Sequence, residues 1–289
     1  MPLNASHDPS PGASEARLCE ACLGRMRASG AWIWECPSCG FLLSTLEPGI
    51  GTGMDGLEAL RRHNYERMFD RIEPLKPLKG ARILEVGSAR GWFLAAAQQR
   101  GALAQGIEPE AGNANLARAA GHHVDIGYFP DDLPAHGLYD IIVFNDVFEH
   151  IPAPSQMARK IEAQLAPGGL AVLNCPSSNG MFFHLARALN ALGASGPYER
   201  LWQKGYSSPH VSYFNPTNLQ RLIERNSGLR EAARFRLNSV ARAGLWKRVR
   251  DSHKGIGGAL MFAGIWCLSF ALAWLPPDIE VSVFRKGEI

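Results

Sequence analysis

With 289 residues, 46% of them apolar, and a formal net charge of +3, the chain has the length for one full α/β domain plus a small appendage. A charge this weak, with basic residues gathered only around Lys247, Arg248, Arg250 and Lys254, argues against a nucleic-acid binder. Residues 1–17 contain no apolar stretch, so they read as a disordered lead-in to a cytoplasmic protein and not as a signal peptide.

The first patterned segment is 18–47, where Cys19, Cys22, Cys36 and Cys39 form two C-x-x-C pairs on either side of a stretch containing Gly and Trp. Two residues between thiolates let one tight knuckle aim both sulfurs at a single ion, and two knuckles close a tetrahedral shell for zinc. Disulfides or a redox pair are the competing reading, which a reducing cytoplasm disfavours. Four thiolates leave no open position, so the ion is expected to be structural. Cys175 and Cys267 lie in apolar runs and read as small core residues.

A glycine-rich linker, 47–53, leads to a segment of helical periodicity, Leu57 to Ile72, with Arg and Glu on its polar side. From Lys79 onward strands and helices alternate. The expected elements are strand 82–86, helix 92–100, strand 104–108, helix 111–120, strands 123–127 and 139–145, helix 155–165, a turn at 167–169 and strand 170–175. Alternation of this kind predicts a parallel sheet with helices on both faces. A helix is expected to start at Asn215-Pro216, and 278–286 alternates like one more strand.

The turn after the first of these strands carries the chemistry. Residues 82–91 read Arg-Ile-Leu-Glu-Val-Gly-Ser-Ala-Arg-Gly, and Glu108 closes the second apolar run. A dinucleotide fingerprint needs G-x-G-x-x-G, which is not the spacing here, and Glu85 inside the turn would repel phosphate while attracting a cation. With its acid and its alternating small residues Gly87, Ala89 and Gly91, the chain resembles the class I S-adenosylmethionine-dependent methyltransferases. Ala89 stands where that family usually has its middle glycine. The run from Tyr139 through Asn145, Asp146, Glu149 and His150 to Pro152 is similar to the family's segment ending in acid-histidine before a proline, and Ala166-Pro167-Gly168-Gly169 resembles its fifth-strand entry. The resemblance covers 55–225 well and extends to the N-terminal ribbon of a bacterial branch.

The resemblance implies a Rossmann-like, doubly wound, mostly parallel seven-stranded α/β sheet, built from 55–240 plus 278–289, with a small N-terminal zinc ribbon. It also implies the cofactor contacts. Gly87, Ser88 and Gly91 would border the methionine part of S-adenosylmethionine and Glu85 would reach its amino group. Glu108 would hold the ribose hydroxyls, and Asn145 and Asp146 would close the crevice. Tyr128 and Phe129 would line the adenine; the family's acid there is missing, which leaves backbone groups or Asp131 to read the base. His150, and His210 in the 208–214 segment, are the candidate general bases, each with a purely local hydrogen-bonding role as the alternative.

From Gly255 to Leu275 no residue is charged, and at 1.5 Å per residue the tract is about 30 Å long, enough to cross hydrocarbon. A span would leave 278–286 on the far side, so the leading expectation for the 241–277 insert is a helix on the inner face of the membrane, with a buried or dimer-forming helix and a true span as the alternatives. The leading functional expectation is a methyltransferase for a small or lipid-linked acceptor, a sugar of surface polysaccharide synthesis being favoured by analogy. A ribosomal or transfer RNA methyltransferase that grips RNA through the ribbon is the second reading, and a non-enzymatic binding module the third.

Overall fold

The computed structural model describes residues 17–51, 58–134, 137–239 and 275–288, with isolated positions between 246 and 266. The expected lead-in therefore lies outside the described residues apart from Arg17, as does most of the apolar 255–275 tract. Among the described residues no helix is long and apolar enough to cross a membrane.

Seven strands form the central sheet. In chain order they are β4 (Arg82–Val86), β5 (Leu103–Glu108), β6 (His123–Ile126), β7 (Tyr139–Asn145), β8 (Leu165–Pro176), β10 (Arg230–Arg236) and β11 (Ile279–Arg285), arranged β10-β11-β8-β7-β4-β5-β6. The five from β4 to β8 pair in parallel, while β11 runs antiparallel against β8 and β10 against β11. Four of the five expected parallel strands agree with these bounds to within a residue, because each is a short apolar run ended by Gly, Asn or Glu. The expected turn at 167–169 instead lies inside β8. The register slips between Tyr139 and Ile141, and Gly168 at φ 66° lets the extra residues loop out without breaking the strand.

Helices α1 (Glu58–Ile72), α2 (Trp92–Gln99), α3 (Ala111–Ala119), α4 (Pro154–Gln164) and α7 (Pro216–Asn226) pack on the sheet. Asn215 caps α7 through a reciprocal capping box with Asn218, which is why the chain turns helical at Pro216. Two further helices, α5 (Met181–Ala191) and α6 (Gly196–Leu201), have no counterpart in the sequence-based expectation.

The cysteine segment supplies β1 (Arg27–Ala28), β2 (Ile33–Glu35) and β3 (Leu42–Ser44). It is not a separate bead on a linker. Its last strand pairs with β9 (Ser212–Tyr213) to make a four-stranded sheet, β1-β2-β3-β9, and Cys19, Cys36 and Phe41 share one buried core with Leu84, Phe148 and Leu222. Elements of two and three residues hold no readable period, so this fusion left no trace in the hydrophobic pattern.

Candidate active site

All carboxyl ends of the parallel strands open on one edge of the sheet, where the loops after β4, β5 and β7 meet. Gly87 sits at φ 71°, and a Cβ there would come within 2.5 Å of Val147, so only glycine fits both the turn and the approach of the β7 exit loop. Ala89, the residue in the family's glycine place, is held at φ 44°. Its N–H donates to Glu108 Oε2 at 2.8 Å, an anchor that offsets the cost of a left-handed alanine. Glu108 Oε1 accepts from the Glu110 N–H at 2.9 Å. Each carboxylate oxygen keeps a further lone pair, so the buried Glu108 retains acceptor capacity for two hydroxyls.

Glu85 lies at the centre of the edge and is 2% exposed. Burial pushes its carboxyl well above the usual carboxylate range, against the Asn145 amide, which donates to Oε1 at 2.9 Å, and the Arg61 charge. Glu85 Oε2 and Asn145 Oδ1 are buried acceptors with no partner. A cation or ammonium group with several N–H donors would satisfy both, so the residues present fit the amino end of S-adenosylmethionine. The Ser88 side chain points away from the edge. A Cβ on Gly106 would lie 2.3 Å from Ser88 Oγ, so that hydroxyl is tucked against β5, and the expected contact of Ser88 is confined to its backbone.

Sequence reasoning missed Arg61. It lies on the charged side of α1, yet its guanidinium turns inward to within 3.5 Å of Asp146, which follows β7 at φ 54°. Burial opposes its charge, but Asp146 and the more distant Tyr65, Glu85 and Glu149 keep its pKa above the ordinary value. Helix α1 therefore closes one side of the crevice, a placement that its helical period alone did not reveal.

The residues expected at the adenine lie in different settings. Phe129 is 5% exposed and meets Phe144 edge to face at 5.7 Å, so its ring belongs to the core. Tyr128 is exposed, with its N–H donating to Asp132. Asp131 is exposed and pairs with Lys160 at 2.9 Å.

Past Asp146, a 3-10 turn at Phe148–His150 carries Glu149 and His150 against the 208–214 segment. The His150 and His210 rings lie 4.7 Å apart, and Glu149, His150 and His210 each bring one donor atom within 4.8 Å of the others. His150 Nδ1 donates to the Pro209 carbonyl at 2.9 Å, which leaves Nε2 as the lone-pair nitrogen. Burial lowers its pKa below the ordinary value. His210 is 6% exposed, and burial together with the neighbouring His150 lowers it to about 3. A group that far below neutrality and that enclosed is poorly matched to general-base work, which favours the alternative of a local hydrogen-bonding role, with its ring bonded to Gln203 at 3.0 Å.

At the ribbon, Cys19 Sγ lies 3.6 Å from Cys39 Sγ and Cys22 Sγ 3.4 Å from Cys36 Sγ, all four sulfurs within 4.8 Å of one another. Zn–S bonds of about 2.3 Å put tetrahedral sulfurs about 3.8 Å apart, so the four thiols have the spacing of a closed metal shell.

A family model described as a methyltransferase domain matches residues 60–230, more than half of the chain. A ubiquinone biosynthesis O-methyltransferase of Nitrobacter winogradskyi is 28% identical over 166 residues, covering 55% of this chain and 61% of that protein. An uncharacterised methyltransferase of Mycobacterium sp. (strain JLS) is 33% identical over 141 residues, covering 46% and 54%. The chain thus spans less than two thirds of the length of these relatives. Among solved structures, the complex between the Haloferax volcanii Trm112 methyltransferase activator and its methyltransferase matches with a TM-score of 0.56 at 14% identity, over 81% of this chain and 92% of that one. The magnesium protoporphyrin IX methyltransferase of Synechocystis PCC 6803, with bound SAH, matches with a TM-score of 0.52 at 10% identity, over 79% and 84%. Likeness at this identity speaks to the fold, and it agrees with the sheet order and the edge described above. By its family match, its strand order and its buried acids at the tips of β4 and β5, the chain belongs to the methyltransferase domain family, within the class I S-adenosylmethionine-dependent methyltransferases.

Proposed function

We propose that the protein methylates a hydroxyl of a small or lipid-linked metabolite, a sugar of surface polysaccharide synthesis being one such acceptor. The observation that carries the reading is the pair of buried carboxylates, Glu85 and Glu108, at the tips of adjacent strands, one with unsatisfied neighbours and one with spare acceptor capacity. When bound, S-adenosylmethionine supplies a methyl group on a sulfonium, a leaving group that needs little further activation. Glu85 and Asn145 would hold its amino end and Glu108 its ribose. Most of the rate then comes from positioning the acceptor oxygen behind the methyl. His150 Nε2 takes the acceptor proton, with Nδ1 fixed by Pro209. An oxygen acceptor is supported by the O-methyltransferase name of the Nitrobacter relative. In the same reading Cys19, Cys22, Cys36 and Cys39 hold one structural Zn2+.

The RNA reading has one observation in its favour, a cleft of about 510 Å³ between the ribbon and α7 lined by Arg221, Arg225 and Arg230. Glu224 lines the same cleft, and the net charge of +3 remains low for a polyanion binder. The deciding experiment is mass spectrometry of a small-molecule extract and of total RNA, each incubated with the protein and methyl-labelled cofactor. Label in a small or lipid-linked product supports the leading reading. Label in RNA alone overturns it.

A further inference from the structure

We infer that the cysteine ribbon positions the His150–His210 pair, acting through Ser44 at the end of its last strand and through the carbonyl of Cys39. Two sets of contacts join the ribbon to the histidine segment. Ser44 Oγ donates to the His210 carbonyl at 2.9 Å, and the Ser44 N–H donates to the Val211 carbonyl at 2.8 Å. Both partners of these bonds lie 166 or more residues from Ser44 in sequence, and Ser44 is itself 6% exposed. One step earlier in the ribbon, the second metal knuckle presents the Cys39 carbonyl to the side-chain amides of Asn215 and Asn218 at 3.0 and 3.2 Å, the two residues that cap α7. Phe41 and Phe214 fill the space between, with ring centroids 5.3 Å apart.

On its other side the same short segment grips the β7 exit. The Val211 N–H donates to the Glu149 carbonyl at 2.9 Å, and the Pro209 carbonyl accepts from His150. Residues 209–214 are therefore clamped between the ribbon and the loop that carries His150. The cofactor edge meets the ribbon through the shared apolar core, while its polar groups are held elsewhere: Glu85 by the Asn145 amide, and Glu108 by the Ala89 and Glu110 N–H groups. A strand of two residues has too few ladder bonds to hold itself in place, so β9 relies on its neighbours: β3 and its knuckles on one side, and on the other the Ser178 N–H bonded to the Phe214 carbonyl at 2.7 Å and the Tyr213 ring packed against Phe183 and Trp202. The four-cysteine ribbon thus reaches the acceptor side through direct hydrogen bonds and the cofactor side through the shared apolar core, so the acceptor side depends on it more. The consequence for turnover rests on the methyltransferase reading, but the coupling itself does not.

The test compares the full chain as zinc-loaded protein and after removal of metal by a chelator, using hydrogen exchange read by mass spectrometry. Exchange in 209–214 is expected to rise about tenfold or more while peptides of 82–108 change less than about twofold, the pattern of a local opening. Unchanged exchange in 209–214 overturns the inference, and so does an equal rise across 82–108, which would make the ribbon an ordinary part of the common core. A second arm keeps the metal in place. In Ser44→Ala the NMR titration of His210 is expected to move up by about one unit as water enters the segment, with Ser44→Thr restoring it; no movement in Ser44→Ala overturns the role of Ser44. If S-adenosylmethionine fails to bind the zinc-loaded wild-type chain in calorimetry, the methyltransferase reading falls while both readouts above remain interpretable.

Discussion

On the proposed function the crevice has a cofactor wall and an acceptor wall, and the two are built in different ways. The cofactor wall consists of side chains at the ends of central strands, where parallel pairing on both flanks fixes the backbone and a few buried bonds fix the rest. The acceptor wall is assembled from pieces that cannot stand alone: a three-residue strand, a two-residue strand and a 3-10 turn, tied by bonds between residues far apart in the chain. The first wall suits a ligand shared across a family, and the second can be rebuilt for a new acceptor without disturbing the sheet.

The largest expected effect lies on the cofactor wall. On the proposed reading Glu108→Ala removes the acceptor of two ribose hydroxyls, and charge-assisted bonds of about 1.5–3 kcal/mol each predict a loss of S-adenosylmethionine affinity of a hundredfold or more. Calorimetry checks this, and thermal melting checks that the Ala89 and Glu110 N–H groups, now without Glu108, have not unfolded the turn. Affinity within a few-fold of wild type would break the comparison at its stronger end.

The acceptor wall should show itself in acid. Burial and His150 hold folded His210 at about 3, below its ordinary 6.5. Between those values the unfolded chain takes up a proton that the folded chain refuses, so this residue subtracts stability as pH falls from about 6.5 toward about 3, by up to about 1.4 kcal/mol per unit. Glu85 and Glu149, raised by burial, contribute with the opposite sign, since each binds its proton more tightly when folded. The clean measurement is therefore a difference: denaturant unfolding of wild type and His210→Gln between pH 4 and 7, with the wild type expected to lose more stability than the variant as the pH drops.

Much of the cofactor wall was legible in the sequence, and little of the acceptor wall. Strands 82–86 and 139–145 are near-continuous apolar runs ended by Gly87 and Asp146, which is how a strand buried on both faces must read. Strand β10 escaped because Arg230, Arg234 and Arg236 alternate outward on the sheet edge and make the segment look like polar linker. Helices α5 and α6 bury only a few residues each, in an aromatic cluster with Trp202 and Tyr213 that exists only after folding. Arg61 and Ser44 act across 85 and 166 residues of sequence, a range at which no periodicity carries information.

A smaller effect sharpens the electrostatics of the cofactor wall. Glu85 is raised by burial in the free protein, so below that raised value cation binding has to strip its proton and S-adenosylmethionine affinity should fall with pH there, by about tenfold per unit. Calorimetry in buffers of different ionisation enthalpy should show a proton released on binding. Glu85→Gln should abolish both the release and the pH slope, and a slope that survives in the variant would move the titration elsewhere.

The smallest expected effect tests where the cofactor wall ends. Phe129 follows β6 at the position the family uses for adenine, yet its ring is buried against Phe144, which in turn meets Phe148 edge to face at 5.8 Å. Phe129→Leu keeps most of the apolar volume and loses the edge-to-face contact, a cost of about 1 kcal/mol with some added penalty for the misfit. Stability should fall by about that amount in urea, and S-adenosylmethionine affinity should stay within about twofold, because leucine fills the same buried site and the ring never faced the crevice. A tenfold loss of affinity with unchanged stability would instead put the ring on the adenine and extend the family-shared wall to the loop after β6. In that case the boundary between the two walls would lie at Tyr128 and Asp132, and not at the tip of β5.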